Sequence, residues 1–455
     1  MSGSRLSTLD ASFLEVESSS AHMHVGWAAR FAKPQARSAP RFEDLRDHVA
    51  GRMGRAPRYR QKLAQVPLSV HDPVWIDDAA FAVEDHVRRG GSRDLGELAD
   101  EVMSTPLDRD RPLWELWIAD DLPDGGIGVI GKAHHAMVDG LAAVELATLL
   151  VDPTPEPSSP EPNGWRPAQA PDEAKLLLDA ITDRAGEVLT LARWPLELTL
   201  HPRRLAELAS GALPSARALA DALRASAPQT CLNEPISPGR HLACARRPLS
   251  DLREIKARFA TTVNDVLLAA TSGAVRRLFH ARGETPVRLK TMVPVSVRGN
   301  NGSGSLGNQI SFVFVDLPCE EPDPRRRLID VHQQMGKRKR GGQPEGADRV
   351  LKALGYAPRT IQHAFSHLAA SPRAFNLTVS NIPGPSQSLY MLGCELEEVY
   401  PVVPIADRHA LSIGMTTVGD QAFFGVYAAC EAMPDADLLA ELLDHSVEEL
   451  LALEG

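Results

Sequence analysis

The sequence predicts a mixed α/β protein organised as two units. Its 455 residues exceed what one hydrophobic core usually serves. Strand-like and helix-like patterns occur in comparable amounts in both parts of the chain. Between those parts, Asp152 to Asp172 reads DPTPEPSSPEPNGWRPAQAPD, with seven prolines. Proline at that density cannot hold a helix or a central strand, so this stretch is a linker or an extended crossover.

Within the first unit, Met23 to Phe31 has the pattern of a strand. Phe42 to Met53 and Asp94 to Met103 have helical spacing. Ile127 to Ala133 is a continuous apolar, β-rich run opened by Gly125-Gly126, which reads as a buried strand. From Gly140 a helix is predicted, with Leu141, Val144, Leu149 and Leu150 on roughly one face. Beyond the proline-rich stretch, Glu173 to Ser226 carries Leu, Ala and Arg at helical spacing. Ser250 to Phe259 is a helix expected to be capped by Ser250, and Asn264 to Arg282 is another. Strands are predicted at Leu289–Val297, Gln309–Leu317, Phe375–Ser380, Leu411–Val418 and Ala422–Ala429. The last two form a hairpin around Gly419-Asp420. Gly336 to Pro372 reads as mostly helical, and an amphipathic helix spans Asp435 to Leu453. The resulting division is residues 1–151, a connecting region 152–230, and residues 231–455.

Composition narrows the function classes. Hydrophobic residues make up 43% and charged residues 24%, the balance of a soluble globular chain. A net charge of -10 argues against general nucleic-acid binding, which needs a basic footprint. The five cysteines are scattered with no C-x-x-C pair, so neither a disulfide framework nor a structural zinc site is expected. The first 14 residues contain no long apolar run, and the apolar stretch Leu141 to Val151 is interrupted by Glu145 and Thr148. It falls short of the ~20 residues a membrane-spanning helix needs. A chain that does not span a bilayer can still lie on one.

The segment that carries chemistry is His134-His135-Ala136-Met137-Val138-Asp139-Gly140. Two histidines end a buried strand, a rigid place to hold a base. An imidazole with an ordinary pKa of ~6.5 suits proton abstraction near neutrality. A single histidine in an apolar segment is usually a packed residue; two in succession followed by Asp-Gly at a strand-to-helix junction favour a functional role over that packed one. His135 and Asp139 could share a helix face and a metal, yet no third ligand is evident, and no metal is expected. There is no G-x-S-x-G nucleophile elbow and no phosphate loop. Gly302 to Gly307 matches G-x-G-x-x-G, but it lies between two strand-like segments rather than between strand and helix. With no nucleophilic Ser or Cys in evidence, the economical mechanism is direct attack. His135 takes a proton from a bound hydroxyl, whose oxygen attacks an activated acyl group.

Around this motif the chain resembles the bacterial wax ester synthase/diacylglycerol acyltransferase family. That family lies within the wider superfamily of CoA-dependent acyltransferases and peptide-synthetase condensation domains, which share HHxxxDG. The resemblance is carried, in order, by Leu6–Leu14 with Glu17 and Met23-His24-Val25-Gly26, and by Arg111-Pro112-Leu113-Trp114-Glu115. It continues through Asn264–Ala269, Pro294–Arg298, Gly307-Asn308 and Ser380–Pro385. Departures are small: His22 and Thr8 stand where the family often has proline.

The resemblance implies two chloramphenicol-acetyltransferase-like α/β domains, each a mixed sheet with helices, facing across a central channel. It implies His135 as general base, supported by His134, with Asp139 and Gly140 shaping the loop and Arg298 pairing with Asp139. Asn264 is expected near the active site as an oxyanion or positioning donor, or else as a helix N-cap. Pro112, Leu113, Trp114 and Asn381 are expected to be channel or scaffold residues. The implied reaction moves a fatty acyl group from acyl-CoA, a substrate rather than a cofactor, to diacylglycerol or a long-chain alcohol.

Those acceptors imply a cytoplasmic enzyme in peripheral contact with the membrane or lipid droplets. The helical region 173–226, with Arg193, Trp194, Arg203 and Arg204, and the run Lys337-Arg338-Lys339-Arg340 are candidates for that contact. A solvated helix face is the bland alternative, and the basic run could instead attract CoA phosphates. A second enzymatic reading is a secondary-metabolite acyltransferase or condensation enzyme using the same centre. A third, opposed by the intact motif, is a catalytically idle lipid-binding protein.

Overall fold

The computed structural model describes residues 4–34, 39–137, 149–159, 164–200, 226–296, 310–340, 359–385 and 387–454. Within them the chain is mixed α/β, organised on two six-stranded sheets.

The first sheet is assembled from β1 (His24–Phe31), β4 (Val87–Arg89), β5 (Trp114–Ala119), β6 (Ile127–His134), β11 (Tyr390–Met391) and β12 (Cys394–Val402), in the order β11-β12-β1-β6-β5-β4. A small hairpin of β2 (Gln61–Ala64) and β3 (Val74–Asp77) stands beside it. The second sheet runs β7-β14-β13-β10-β8-β9, from β7 (Arg240–Pro248), β8 (Leu289–Ser296), β9 (Ile310–Leu317), β10 (Leu377–Asn381), β13 (Leu411–Val418) and β14 (Gln421–Ala429). Helices α1 (Thr8–Val16), α2 (Phe42–Ala50) and α3 (Leu95–Ser104) belong to the first part of the chain. Helix α4 (Glu173–Leu200) follows the proline-rich stretch. Helices α5 (Leu249–Arg258), α6 (Val263–Ala281), α7 (Pro324–Arg340), α8 (Arg359–Ala369) and α9 (Ala436–Leu451) follow in the second part.

One strand joins the two halves. β12 comes from late in the sequence, yet it pairs with β1 antiparallel, with Gly26 opposite Val402 and Ala29 opposite Val399. Its end also presses on the second sheet. A Cβ built on Gly425 would sit 2.1 Å from the Pro401 carbonyl oxygen, and one on Gly414 would sit 2.9 Å from Pro401 Cγ. Only glycine allows that approach. The core follows this crossing. Ala21, Met23, Ala28 and Ile130 of the first half share one apolar cluster with Val266, Ile413 and Phe424 of the second.

Several elements differ from the sequence expectation. Ser250 is not the cap of its helix but lies inside α5, whose N-cap is Pro248. Asn264 is not an N-cap either. Thr262 caps α6, its hydroxyl accepting from Asp265 N–H while the Asp265 carboxylate accepts from Thr262 N–H. That reciprocal box outcompetes the single amide Asn264 could offer. The helical stretch predicted from Gly336 begins earlier, at Pro324, where a proline fits the first turn. The helix expected from Gly140 enters the described chain only at Leu149 and Leu150, which are helical and buried; the helix expected beyond Leu200 and Gly302–Gly307 lie outside the described residues.

The start of the proline-rich stretch is docked. Asp152 pairs with Tyr390 as a β-bridge and forms a buried ion pair with Arg52. Ser158 Oγ donates to Asp152 Oδ1 at 2.7 Å. Burial opposes the Asp152 charge, but Arg52 and Ser158 outweigh it and hold its pKa below the ordinary value.

Candidate active site

The two histidines sit where β6 leaves the sheet. Every residue of β6 is buried. The ladder carries the chain directly to His134, which pairs with His24 on one side. On the other side its amide donates to the Leu113 carbonyl at 2.9 Å. Leu113, in the Pro112-Leu113-Trp114 segment, thus supports the end of β6 directly. Trp114 is fully buried, donates from Nε1 to the Tyr59 carbonyl at 2.7 Å, and stacks on His86 with centroids 4.8 Å apart. A rigid neighbour strand of this kind fixes the height of His134.

Beyond the strand the backbone turns sharply. Met137 N–H donates to the His134 carbonyl, and His135 N–H donates to the Met23 carbonyl, both at 2.9 Å. Met23 itself has a left-handed backbone, φ 49°. The turn gives the two rings different surroundings. His134 Nδ1 accepts from Ala136 N–H at 3.0 Å, which places the ring proton on Nε2. Nε2 faces the Glu17 carboxylate at 3.5 Å, and Arg109 contacts the same carboxylate oxygen. His134 is thus an oriented, buried ring. Burial, reinforced by the positive charge of Arg109, lowers its pKa to about 3.

His135 is the partly exposed one. Its ring lies flat on Phe13, with centroids 3.6 Å apart and planes at 14°. Its Nδ1 is buried without a hydrogen-bond partner, and no described residue engages Nε2. Burial, with a smaller contribution from His134, lowers its pKa to about 4, against a raising effect from its own backbone. The ring is therefore neutral near pH 7, as a general base must be.

Sequence reasoning missed part of this setting. Phe13 and Glu17 are four residues apart, one on α1 and one at its C-cap. They address His135 and His134 respectively. That spacing was the available signal. Lys132 is fully buried, bonded to Glu115 Oε2 at 2.9 Å and to the Val102 and Thr105 carbonyls at 3.0 and 3.1 Å, which ties α3 to the sheet. His24 is buried with both ring nitrogens unpartnered, its ring 5.2 Å from His22. Burial, then Lys132, pushes its pKa well down.

Of the other expected residues, some are described and some lie outside the described chain. Asn264 is the second residue of α6, and its side chain forms no hydrogen bond with either histidine. Asn381 ends β10 in register with Met415, and Ile382 N–H donates to the Met415 carbonyl. Two residues on, a Cβ on Gly384 would lie 1.7 Å from the Thr417 carbonyl oxygen, so the Asn-Ile-Pro-Gly turn lies directly on β13. Asp139, Gly140 and Arg298 lie outside the described residues. No group of three or more His, Cys, Asp or Glu that could hold a metal occurs among the described residues.

Known proteins are similar to this chain along its whole length. Among solved structures, a wax ester synthase/diacylglycerol acyltransferase from Marinobacter aquaeolei VT8 superposes with a TM-score of 0.69 at 25% identity, covering 98% of each chain. The first condensation domain of the CDA synthetase shares the fold more distantly, with a TM-score of 0.55 at 15% identity over 100% of this chain and 97% of that one. A probable diacylglycerol O-acyltransferase of Mycobacterium tuberculosis is 31% identical over 461 aligned residues, 98% of this chain and 96% of its own. A second from the same species is 30% identical, covering 97% of each. The family model described as wax ester synthase/diacylglycerol acyltransferase catalytic domain matches residues 6–267, and the one described as WS/DGAT C-terminal domain matches residues 306–451. The chain belongs to the wax ester synthase/diacylglycerol acyltransferase family.

Proposed function

We propose that this chain transfers a fatty acyl group from acyl-CoA to the hydroxyl of diacylglycerol or a long-chain alcohol, with His135 as general base. The observation that supports it is the His135 ring, neutral by burial, stacked on Phe13 and left with Nε2 unengaged by any described residue. In this reading Nε2 accepts the acceptor's hydroxyl proton as its oxygen attacks the thioester carbon. The tetrahedral intermediate then collapses, the C–S bond breaks, and the imidazolium returns its proton to the departing CoA thiolate. No acyl-enzyme forms. His134 holds the turn, its proton directed at the Glu17–Arg109 pair. Asp139, Gly140 and Arg298 are assigned the shaping of the loop that follows. Asn264 is assigned a positioning role toward the acyl group, now that the cap role belongs to Thr262.

The acceptors are membrane-dissolved, so the enzyme meets a lipid surface peripherally on the cytoplasmic face or on lipid droplets. No described helix is long and apolar enough to cross a membrane. Exposed Leu178 and Ile181 on α4 favour that helix as the contact. The test is CoA release by purified protein given palmitoyl-CoA with diacylglycerol, hexadecanol, or neither. Acceptor-dependent release that falls by about 10²–10⁴ in His135→Ala supports the reading. Absence of release with every acceptor rejects it.

A further inference from the structure

A recess of about 380 Å³ is lined by Ser226, Gln229, Pro372, Arg373 and Arg408. Both guanidinium groups are exposed, and neither pairs with a carboxylate among the described residues. The chain carries a net charge of -10, and Arg30, Arg52, Arg247, Arg282 and Arg288 each pair with an Asp or Glu, while Arg240 and Arg276 donate to backbone carbonyls. The Arg373 and Arg408 guanidinium groups have neither kind of partner among the described residues. Even Asp407, exposed beside Arg408, forms no ion pair with it.

The frame behind the recess is rigid and polar. Arg408 holds a left-handed backbone, φ 59°, which costs a bulky side chain energy unless its surroundings impose it. Three almost fully buried polar residues do so. Asn233 Nδ2 reaches the Arg408 carbonyl at 3.4 Å, and Asn376 Nδ2 donates to Asn233 Oδ1 at 2.7 Å and to the Pro228 carbonyl at 2.6 Å. His409 stacks on Phe375, its ring nitrogens 2.9 and 3.2 Å from the Asp407 and Phe375 carbonyl oxygens. Ala227 N–H donates to the Arg373 carbonyl at 2.8 Å and closes the third side. Two unpaired arginines, a hydroxyl and a carboxamide are thereby held around one cavity without an anion among them.

We propose that this recess binds a phosphate group, with Arg373 and Arg408 as its charged donors and Ser226 and Gln229 as neutral ones. Two sources supply that chemistry: the phosphates of CoA, and the headgroup of an anionic phospholipid. The CoA source rests on the acyl-transfer reading above, and the lipid source does not. The recess lies just beyond the C-terminus of α8, and α8 packs on α1, where His363 contacts Glu15 two residues from Phe13.

The experiment uses the full chain with Arg373→Gln combined with Arg408→Asn, since Asn tolerates the left-handed backbone. The control pair is Arg373→Lys with Arg408→Lys. CoA binding is measured by calorimetry, and co-sedimentation with phosphatidylcholine vesicles with and without phosphatidylglycerol. KM is measured for palmitoyl-CoA against palmitoyl-N-acetylcysteamine, which lacks phosphate.

Loss of charge-assisted contacts is expected to weaken one arm by about tenfold or more, with the lysine pair retaining most of the binding. Weaker CoA binding and a raised KM for palmitoyl-CoA alone, at unchanged kcat, assign the CoA source. Loss of the phosphatidylglycerol-dependent co-sedimentation assigns the lipid source. Unchanged binding in both arms overturns the proposal, and so does an equal loss in the lysine pair. A wild-type protein without turnover rejects acyl transfer separately, because calorimetry and vesicle binding still read the recess.

Discussion

The acid limb of the pH–rate profile is the sharpest consequence of the way His135 is held. A histidine acting as base must be neutral, so lowering its pKa extends activity toward acid. With an ordinary pKa of ~6.5, only about 9% of the imidazole is neutral at pH 5.5, and kcat/KM falls roughly tenfold between pH 8 and 5.5. With the pKa at about 4, as burial sets it, about 97% is neutral at pH 5.5 and kcat/KM is nearly flat. The limb appears only near pH 4. The assay is initial-rate kcat/KM for palmitoyl-CoA from pH 4.5 to 8.5 at fixed acceptor, with His135→Ala as blank and circular dichroism confirming a folded protein at each pH. A titration near 6.5 in kcat/KM would refute the argument, because it would mean that the ring is solvated in the free enzyme.

Three further perturbations follow from contacts described above. Phe13→Ala removes the surface on which His135 lies, and kcat is expected to fall about 10–100-fold, with some loss of melting temperature because Phe13 also packs on both core clusters; unchanged kcat in the folded variant would show that the turn alone orients the ring. Lys132→Met takes the buried ammonium away from Glu115, which keeps Arg88 at 3.6 Å and the Trp117 Nε1–H at 2.9 Å, and from the Val102 and Thr105 carbonyls; it is expected to destabilise by about 1–3 kcal/mol, read by denaturant unfolding. Adding Glu115→Gln should recover much of that loss, and a double variant no better than the single one would count against it. Gly425→Val forces side-chain atoms into the Pro401 carbonyl, 2.1 Å from the ideal Cβ position; a lowered melting temperature and faster proteolysis are expected, from a cost of about 1–3 kcal/mol or more. An unchanged melting point would mean that β12 can shift aside.

Elements with one dominant periodicity were legible in the sequence. β6 is a continuous apolar run because it is buried along its whole length, and the β13–β14 hairpin shows in its Gly419 turn, φ 55°. The histidine pair was legible because a strand end with His-His and Asp-Gly serves no packing purpose. β7 and β12 were not. β7 contains Arg240, Arg246 and Arg247 and is half solvated, while β12 carries Glu395, Glu397, Glu398 and Pro401. A proline argues against a central strand, yet Pro401 sits opposite Trp27 because its ring fills the space left by Gly414. That complementarity joins positions far apart in sequence, so no local window contains it. Phe13 and Glu17 were visible as a motif but not as a device, since their targets lie more than a hundred residues downstream. Capping was misread at Ser250 and Asn264 because several residues at each junction favour a cap and only tertiary context selects one.

The crossing of β12 has a consequence during synthesis. Until residue 402 has emerged, β1 lies at the edge of its sheet with a row of unpaired amides and carbonyls. An uncovered edge is a template for pairing with other chains. The strand order therefore makes the nascent first half an aggregation hazard for most of translation. It also places completion of the sheet that holds the histidines among the last events of folding.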